Sequence, residues 1–367
     1  MFINQNKNQN NTYFMKLALE QARKNLGNTS ENPSVGCIIT KNNSVISAGN
    51  TSIKGRPHAE VNAINLSKIN VAGSEIYITL EPCSHQGITP PCTKLIVKKK
   101  FKKVYFSLND LDVRSNNKSS SFFKKEKVIV TKGTCHDLSN LFYRSYFKSK
   151  NDLLPFVTCK IAISKDFFTI NKKKKWITNK FSRARGHLLR SYNDCLITSS
   201  KTIICDNSKF TCRVNGLKDR SPARIILDNK LKIPLRSHIL EETSEYRTII
   251  FYNKIDKNKI NKLKRLKVEL HEIPIDENKN LDLKQVLLKT KELGFYRVLL
   301  ESGAKLFSNF LYNNLIDDLY LFTSNNSLGK NGKSNIKKDL KSFLKNKKKI
   351  NNNVNLFGEK MIIYKIK

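Results

Sequence analysis

The chain has 367 residues, with 68 Lys+Arg against 30 Asp+Glu and a formal charge of +38, so roughly two domains of about 100–200 residues each are expected. Its 39% hydrophobic residues include 20 Phe and 12 Tyr, enough to build packed cores and to exclude a disordered polycation. No apolar run approaches the ~18 residues that cross a bilayer as a helix.

The start, M-F-I-N-Q-N-K-N-Q-N-N, has no apolar h-region and reads as a disordered extension of the first helix rather than a secretory signal. Tyr13 to Asn25 follows with apolar residues at helical spacing and ends at Gly27. V-G-C-I-I-T, K-N-N and S-V-I-S-A-G form a hairpin pattern. Next come a helix from Ala59 to about Lys68, a strand at Ile76 to Leu80, a helix from about Thr93 and a strand at Lys103 to Leu108. A short strand at Val128 to Thr131 and a helix at Asp137 to Lys148 close the first half.

The polar stretch around Ser149 to Pro155 marks a boundary, giving domains 1–150 and 151–367. Beyond it, strands are predicted near Asp194 to Thr198, Ala223 to Asp228, Arg247 to Tyr252, Lys267 to Ile273, Arg297 to Glu301 and Asp318 to Thr323. Helices interleave at about Lys180 to Arg190, Leu283 to Leu293 and Ala304 to Asn313, and Val354 to Phe357 with Met361 to Ile366 reads as a terminal hairpin. This alternation is that of an α/β protein. The runs Lys172 to Lys175 and Lys345 to Lys349 are expected as solvated loop tips.

The basic residues are spread along the whole chain, mostly Lys among many Asn and Ile, a spectrum that A+T-biased coding produces. No nucleic-acid partner or membrane is expected, although the charge would attract phosphorylated substrates. Of the eight cysteines, Cys37, Cys159 and Cys195 lie inside apolar strand-like runs. Buried free thiols in a reducing cytoplasm account for them better than disulfides do.

Two stretches carry chemistry: P-H-A-E-V at Pro57 to Val61, and L-E-P-C-S-H-Q-G-I-T-P-P-C at Leu80 to Cys92. A catalytic zinc takes three protein ligands and keeps a fourth position for water, and His58, Cys83 and Cys92 supply that number. Glu60, two residues from His58, is placed to flank the water without ligating, taking its proton and passing it to a leaving nitrogen. Zinc deaminases share H-x-E and P-C-x-x-C. Here the second cysteine comes nine positions after the first, beyond an inserted loop.

That string, together with N-P-S-V-G-C at Asn32 to Cys37 and G-R-P-H-A-E-V-N-A at Gly55 to Ala63, resembles the deaminase half of the bifunctional riboflavin-biosynthesis deaminase-reductase family. The resemblance implies a cytidine-deaminase-like α/β/α domain in which His58, Cys83 and Cys92 bind Zn2+ and Glu60 shuttles protons. The substrate it implies is a diaminopyrimidine ribosyl phosphate, attacked at C2. Asn32 to Gly36 would shape the base pocket. His85, in the inserted loop, would either touch substrate or order the loop through a hydrogen bond.

The second half carries the resemblance further, in C-K-I-A-I-S-K-D-F-F-T from Cys159, K-W-I-T at Lys175 to Thr178, H-L-L-R-S-Y-N-D-C-L-I-T-S-S-K-T-I-I-C-D from His187, and V-L-L-E-S-G-A-K-L at Val298 to Leu306. It implies a dihydrofolate-reductase-like α/β domain that uses NADPH to reduce the ribosyl group to ribityl. The chain has no G-x-G-x-x-G, and the strand-to-helix turn at S-G-A offers backbone N–H groups to a phosphate instead. Carried over, Ile163, Trp176, Thr202, Asp206, Asn229, Gly303, Ala304, Lys305 and Leu306 fall at cofactor positions. Lys160, Lys174, Arg190, Phe210, Arg213 and Glu301 fall at substrate positions. Self-association into a homo-oligomer is also implied.

The departures lie mostly here. Phe167 replaces a glycine after Asp166, Lys174 replaces a serine, and Asn207-Ser208 replaces Asp-Pro. In the first half, N-D-L-D-V-R at Asn109 to Arg114 keeps only part of the family's Asp-Pro-Asn-Pro loop. Phe167 would be strained if its position needs a positive φ. These departures leave a deaminase with an inactive reductase-like half as a second reading, and the charge together with the zinc-site pattern suggests a polynucleotide (tRNA) deaminase as a third.

Overall fold

A computed structural model describes residues 2–350 and 354–367. The chain divides into two compact units, Met1–Asp152 and Leu153–Lys367.

In the first unit the elements run α1 (Phe2–Arg23), β1 (Gly36–Lys41), β2 (Ser44–Asn50), α2 (Ala59–Leu66), β3 (Glu75–Ile78), α3 (Cys92–Lys98), β4 (Lys103–Phe106), α4 (Lys118–Lys125), β5 (Ile129–Lys132) and α5 (His136–Asn151). They build a five-stranded sheet of order β2-β1-β3-β4-β5. The β1–β2 hairpin turns on Asn42 and Asn43, both at positive φ (49° and 63°), the backbone a tight hairpin needs and Asn tolerates. Strands β3, β4 and β5 are parallel, and Tyr77 stacks on its register partner Tyr105 at 4.3 Å.

Two glycines bring helices onto this sheet. A Cβ on Gly36 would lie 1.8 Å from Ala18 O in α1, and one on Gly49 would lie 2.4 Å from Ala63 N in α2. Neither backbone contact could yield, so α1 and α2 sit where they do because these residues lack side chains. The extension expected to be disordered is helical from Phe2; it contains no Pro or Gly to stop a helix.

The second unit continues with β6 (Phe156–Ile163), β7 (Phe168–Asn171), α6 (Lys180–Arg190), β8 (Cys195–Ser199), α7 (Ser200–Asp206), β9 (Ala223–Leu227), α8 (His238–Glu241), β10 (Thr248–Tyr252), α9 (Lys257–Arg265), β11 (Glu269–Glu272) and α10 (Leu283–Glu292). It ends with β12 (Arg297–Glu301), α11 (Ala304–Tyr312), β13 (Asp318–Thr323), β14 (Gly332–Asn335), α12 (Lys337–Leu344), β15 (Lys348–Ile350) and β16 (Lys360–Lys365). Nine strands form a sheet of order β11-β10-β9-β8-β12-β6-β13-β16-β15, parallel from β11 to β13 and antiparallel at β16 and β15.

Successive strand residues enter different cores. Ile225 and Leu227 join one cluster with Val157, Cys159 and Val298, while Ile226 joins another with Leu196 and Ile250. This is the alternation of a sheet buried on both faces.

Two features of the tail differ from expectation. The partner of β16 is not Val354 to Phe357, which contributes one isolated bridge, Leu356 to Glu359; it pairs with β13 and β15. Lys348 and Lys349, expected in a loop tip, belong to β15 at the sheet edge, where lysine suits an unpaired backbone. Lys172 to Lys175 is an exposed loop.

Candidate functional site

In the first unit the site forms beyond the carboxyl end of β3, the usual place for a site in an open α/β sheet. His58 caps α2 in extended conformation, Cys83 follows β3, and Cys92 begins α3 behind Pro91. One donor atom from each of the three lies within 4.8 Å of the other two. His58 Nδ1 is 3.6 Å from Cys83 Sγ and 3.4 Å from Cys92 Sγ. Ligand atoms around a tetrahedral zinc with bonds of about 2.0–2.3 Å stand about 3.3–3.8 Å apart, so the donor set and its spacing fit that ion.

Interaction with the Cys92 thiol holds Cys83 down to about 4, helped by His58 and by the Cys92 backbone N–H, which donates to Cys83 Sγ at 3.3 Å. The same interaction, with burial, pushes Cys92 up. Glu60, in the first turn of α2, is 3% exposed; burial raises its pKa and His58 opposes that shift.

Glu81 stands in the same motif, two residues before Cys83. Its buried carboxylate accepts backbone N–H bonds from Asp110 and Asn117 at one oxygen, and the backbone N–H and hydroxyl of Ser119 at the other. It thereby ties the turn carrying Cys83 to the loop Asn109 to Asn117. His85 Nδ1 lies 2.8 Å from Ser115 Oγ in that loop, the loop-ordering bond of the two alternatives. Arg56 holds the other side of the inserted loop through Thr89 Oγ1 at 3.1 Å.

The second unit brings together a cluster far apart in sequence. Lys160 on β6 and Glu301 on β12 are register partners, with Lys160 Nζ 3.5 Å from Glu301 Oε1. Arg190 on α6 donates twice to Glu301, at 2.9 and 2.9 Å, and its guanidinium lies 5.4 Å from the centre of the Phe210 ring. A Cβ on Gly186 would sit 3.6 Å from Lys160 Cε, so the helix comes down onto that lysine. Burial alone would raise Glu301, but Arg190 and then Lys160 hold it at about 2. Arg213 joins through His187, whose Nε2 lies 3.2 Å from Arg213 Nη2.

Next to this cluster, Gly303 caps α11 without a side-chain acceptor, leaving first-turn N–H groups of Ala304, Lys305 and Leu306 for an anion. Gly303 N donates to Thr202 Oγ1 at 3.4 Å, joining the turn after β12 to α7. This open, donor-lined turn fits a dinucleotide phosphate. Asp206 ends α7 and is linked electrostatically to Lys175, the neighbour of the half-exposed Trp176, on whose ring the guanidinium of Arg183 lies at 5.0 Å. Ile163 is buried at the end of β6, and Asn229 donates to Lys279 O at 2.9 Å. Lys174 stands apart in the exposed lysine loop, its backbone N–H bonded to Asn171 Oδ1.

The departures are absorbed locally. Phe167 does adopt a positive φ, 71°, in a turn fixed by Ser164 and Asp166, and its ring packs at the margin of the main core. Asn207 takes the left-handed cap of α7, which Asn accepts, and its side chain caps α8 at His238 N.

Residues 8–108 match the model of the cytidine and deoxycytidylate deaminase zinc-binding region, and 155–356 match that of the RibD C-terminal domain. Riboflavin biosynthesis protein RibD of Aquifex aeolicus is 31% identical, over 96% of this chain and 97% of its own. This chain belongs to the RibD family. RibD of Chlamydia trachomatis is 32% identical over 87% of this chain and 86% of its own. The solved RibD of Acinetobacter baumannii superposes with a TM-score of 0.80 at 29% identity, covering 98% of this chain and 99% of that one. A Thermotoga maritima structure described as a diaminohydroxyphosphoribosylaminopyrimidine deaminase/5-amino-6-(5-phosphoribosylamino)uracil reductase superposes with a TM-score of 0.80 at 26% identity, again over 98% and 99%. This chain is a bifunctional deaminase and reductase of riboflavin biosynthesis whose cofactors are Zn2+ and NADPH. Among the described residues no helix is long and apolar enough to cross a membrane.

Proposed function

We propose that residues 1–150 deaminate 2,5-diamino-6-(5-phosphoribosylamino)pyrimidin-4-one and that residues 151–367 reduce the ribosyl group of the product to ribityl. The His58, Cys83 and Cys92 triangle carries the first assignment. Zinc held there supplies the Lewis acidity that brings a water's pKa to about 7. Glu60, buried beside the triangle, takes the proton from the attacking water and delivers it to the departing amine, so that water is consumed and ammonia released. Asn32 to Gly36 line the base pocket.

In the second unit, Arg190 and Arg213 receive the ribose 5-phosphate, and Phe210 and Glu301 hold the remainder of the substrate. Lys160, on the strand beside Glu301, presents a charged N–H near the carbon that accepts hydride, and Lys174 draws the phosphate from the exposed loop. Thr202 and Gly303 to Leu306 hold the phosphates of NADPH, with Ile163, Trp176, Asp206 and Asn229 along the rest of the cofactor. Positioning nicotinamide against C1′ and keeping water out is the main task of such a site.

All eight cysteines are free, which supports a cytoplasmic location. The partners proposed are the phosphoribosyl-pyrimidine substrate and further copies of the chain as a homo-oligomer, without nucleic acid; light scattering and a tRNA-binding titration test these. The deciding experiment follows ammonia and NADPH together on the diaminopyrimidine substrate. Both should change in sequence, and NADPH should be oxidised only by deaminated product. Deamination without NADPH loss would leave the reductase half a binding module.

A further inference from the structure

The helix that closes the first unit carries a buried hydroxyl that none of the roles above uses. Tyr143 lies on α5, 1% exposed, outside the residues matched by either family model. Its ring clusters with Leu80 and Leu108, and Val35 packs against the same cluster. Its Oη is 3.1 Å from Ser34 O and 2.6 Å from Thr79 Oγ1, and Thr79 Oγ1 accepts the Gly36 N–H at 3.0 Å. Thr79, fully buried, follows β3 and stands four residues before Cys83.

Three protons are shared among these groups, and one order satisfies all of them. Ser34 O can only accept, so the single Tyr143 hydroxyl proton goes there; the Thr79 proton goes to Tyr143 Oη, and the Gly36 N–H to Thr79 Oγ1. In the reverse order Gly36 N–H and Tyr143 O–H would both point at Thr79 Oγ1, whose own proton would have no acceptor among the described residues. Burial pushes the Tyr143 phenol well above its ordinary value, so the hydroxyl keeps its proton at neutral pH. The circuit begins at Gly36 N and ends at Ser34 O. It therefore holds the two peptide groups on either side of Val35 against the strand end that leads to the zinc triangle.

We propose that Tyr143 is a positioning residue of the deaminase: with Thr79 it fixes the Ser34 to Gly36 wall of the base pocket against the segment bearing Cys83, so that the pocket is shaped for the pyrimidine before it binds. The inference rests on the reading of Asn32 to Gly36 as the base pocket. Preorganisation of this kind acts on binding, and Tyr143 transfers no proton, because its only one is committed to Ser34 O.

Tyr143→Phe keeps the ring in its packing and removes only the hydroxyl. The deaminase KM for the diaminopyrimidine substrate should rise about tenfold, equivalent to about 1.4 kcal/mol. Its kcat should stay within threefold, zinc should remain near-stoichiometric, and the reductase constants on pre-deaminated substrate should stay within twofold. Thr79→Val breaks the same circuit at its other hydroxyl and should raise KM to a similar degree, whereas Thr79→Ser keeps the hydroxyl and should stay within threefold of wild type. Because both substitutions open one circuit, the double variant should show a KM rise of about twentyfold at most, well short of the roughly hundredfold product of two independent effects.

An unchanged KM in Tyr143→Phe, even with a lowered urea midpoint, would overturn the proposal and leave Tyr143 a folding residue. A hundredfold rise in the double variant or a tenfold rise in Thr79→Ser would overturn it too. Should Tyr143→Phe not fold, equal KM values for Thr79→Val and the wild type overturn it. Asn32→Ala tests the underlying reading: an unchanged KM there removes the segment from the base pocket and the proposal with it. A raised KM in Asn32→Ala with none in Tyr143→Phe removes Tyr143 alone.

Discussion

The two sites present opposite electrostatic problems. In the first unit, two sulfurs, an imidazole and a buried carboxylate converge, a set that becomes strongly anionic when its thiols ionise and that the proposed zinc would balance. In the second, Lys160, Arg190 and Arg213 outnumber the single carboxylate of Glu301, leaving two positive charges that the proposed phosphate dianion would balance. On that reading, one site is completed by a resident ion, the other by its substrate. The first should therefore depend on metal for its integrity, and the second should be assembled before substrate arrives.

The largest contrast should come from removing metal. A chelator strong enough to strip zinc should abolish ammonia release while NADPH oxidation, assayed on pre-deaminated substrate, stays within twofold; parallel loss of both would erase the distinction. Next, Glu60→Gln should retain near-stoichiometric zinc by elemental analysis yet slow ammonia release by about 10²–10⁴-fold, the usual range for a positioned acid–base group. Undiminished deamination would remove Glu60 from proton transfer.

Glu301→Gln tests self-neutralisation in the second unit. It leaves Arg190, 9% exposed in its side chain, without its charge partner, and breaking a buried pair of this kind costs about 3–5 kcal/mol, measurable by urea unfolding. The pH dependence follows from the signs. Glu301 titrates at about 2 when folded against an ordinary 4.5, so its contribution is complete above pH 4.5 and is lost as pH falls toward 2. His187 titrates at about 4 against 6.5, so the unfolded chain takes that proton first and stability falls from pH 6.5 to 4. The stability gap between wild type and Glu301→Gln should be flat above pH 5 and narrow below it; a gap independent of pH would assign the effect to packing.

The smallest effect is expected from Phe167→Gly. Relief of a left-handed residue is worth about 1–2 kcal/mol, and the ring's contacts with the core margin and with Lys337 at 5.9 Å are lost in exchange. Stability should change by less than about 1 kcal/mol and reductase kcat by less than twofold. A tenfold gain in kcat would mean that Phe167 suppresses the reductase.

The same contrast decided what the sequence could disclose. The three proposed zinc ligands lie between His58 and Cys92, each beside a proline or a helix start, so local pattern sufficed. Lys160, Arg190, Arg213 and Glu301 come from four separate segments, and only the resemblance indicated them. His187, three residues before Arg190, meets Arg213 only through the fold, an approach no periodicity indicates. Glu81 was visible as an acid between a strand and a cysteine, a position where burial requires several donors.

The elements left unread were those with little apolar pattern. In α9 only Ile260 and Leu263 break a run of Lys, Asn and Arg, and α4 is K-S-S-S-F-F-K-K. Strand β15 was hidden among lysines for the same reason, although its place in the sheet is set by pairing Lys349 with Tyr364 and Ile350 with Ile363.

That edge strand also constrains assembly. Lys348 is exposed and sits opposite Lys365, so a second chain adding itself as a tenth strand would bring its own positive charge against theirs. The sheet can be open at this end without acting as a template for fibres. High salt or a polyanion, by screening these lysines, is the condition under which this edge would lose its protection.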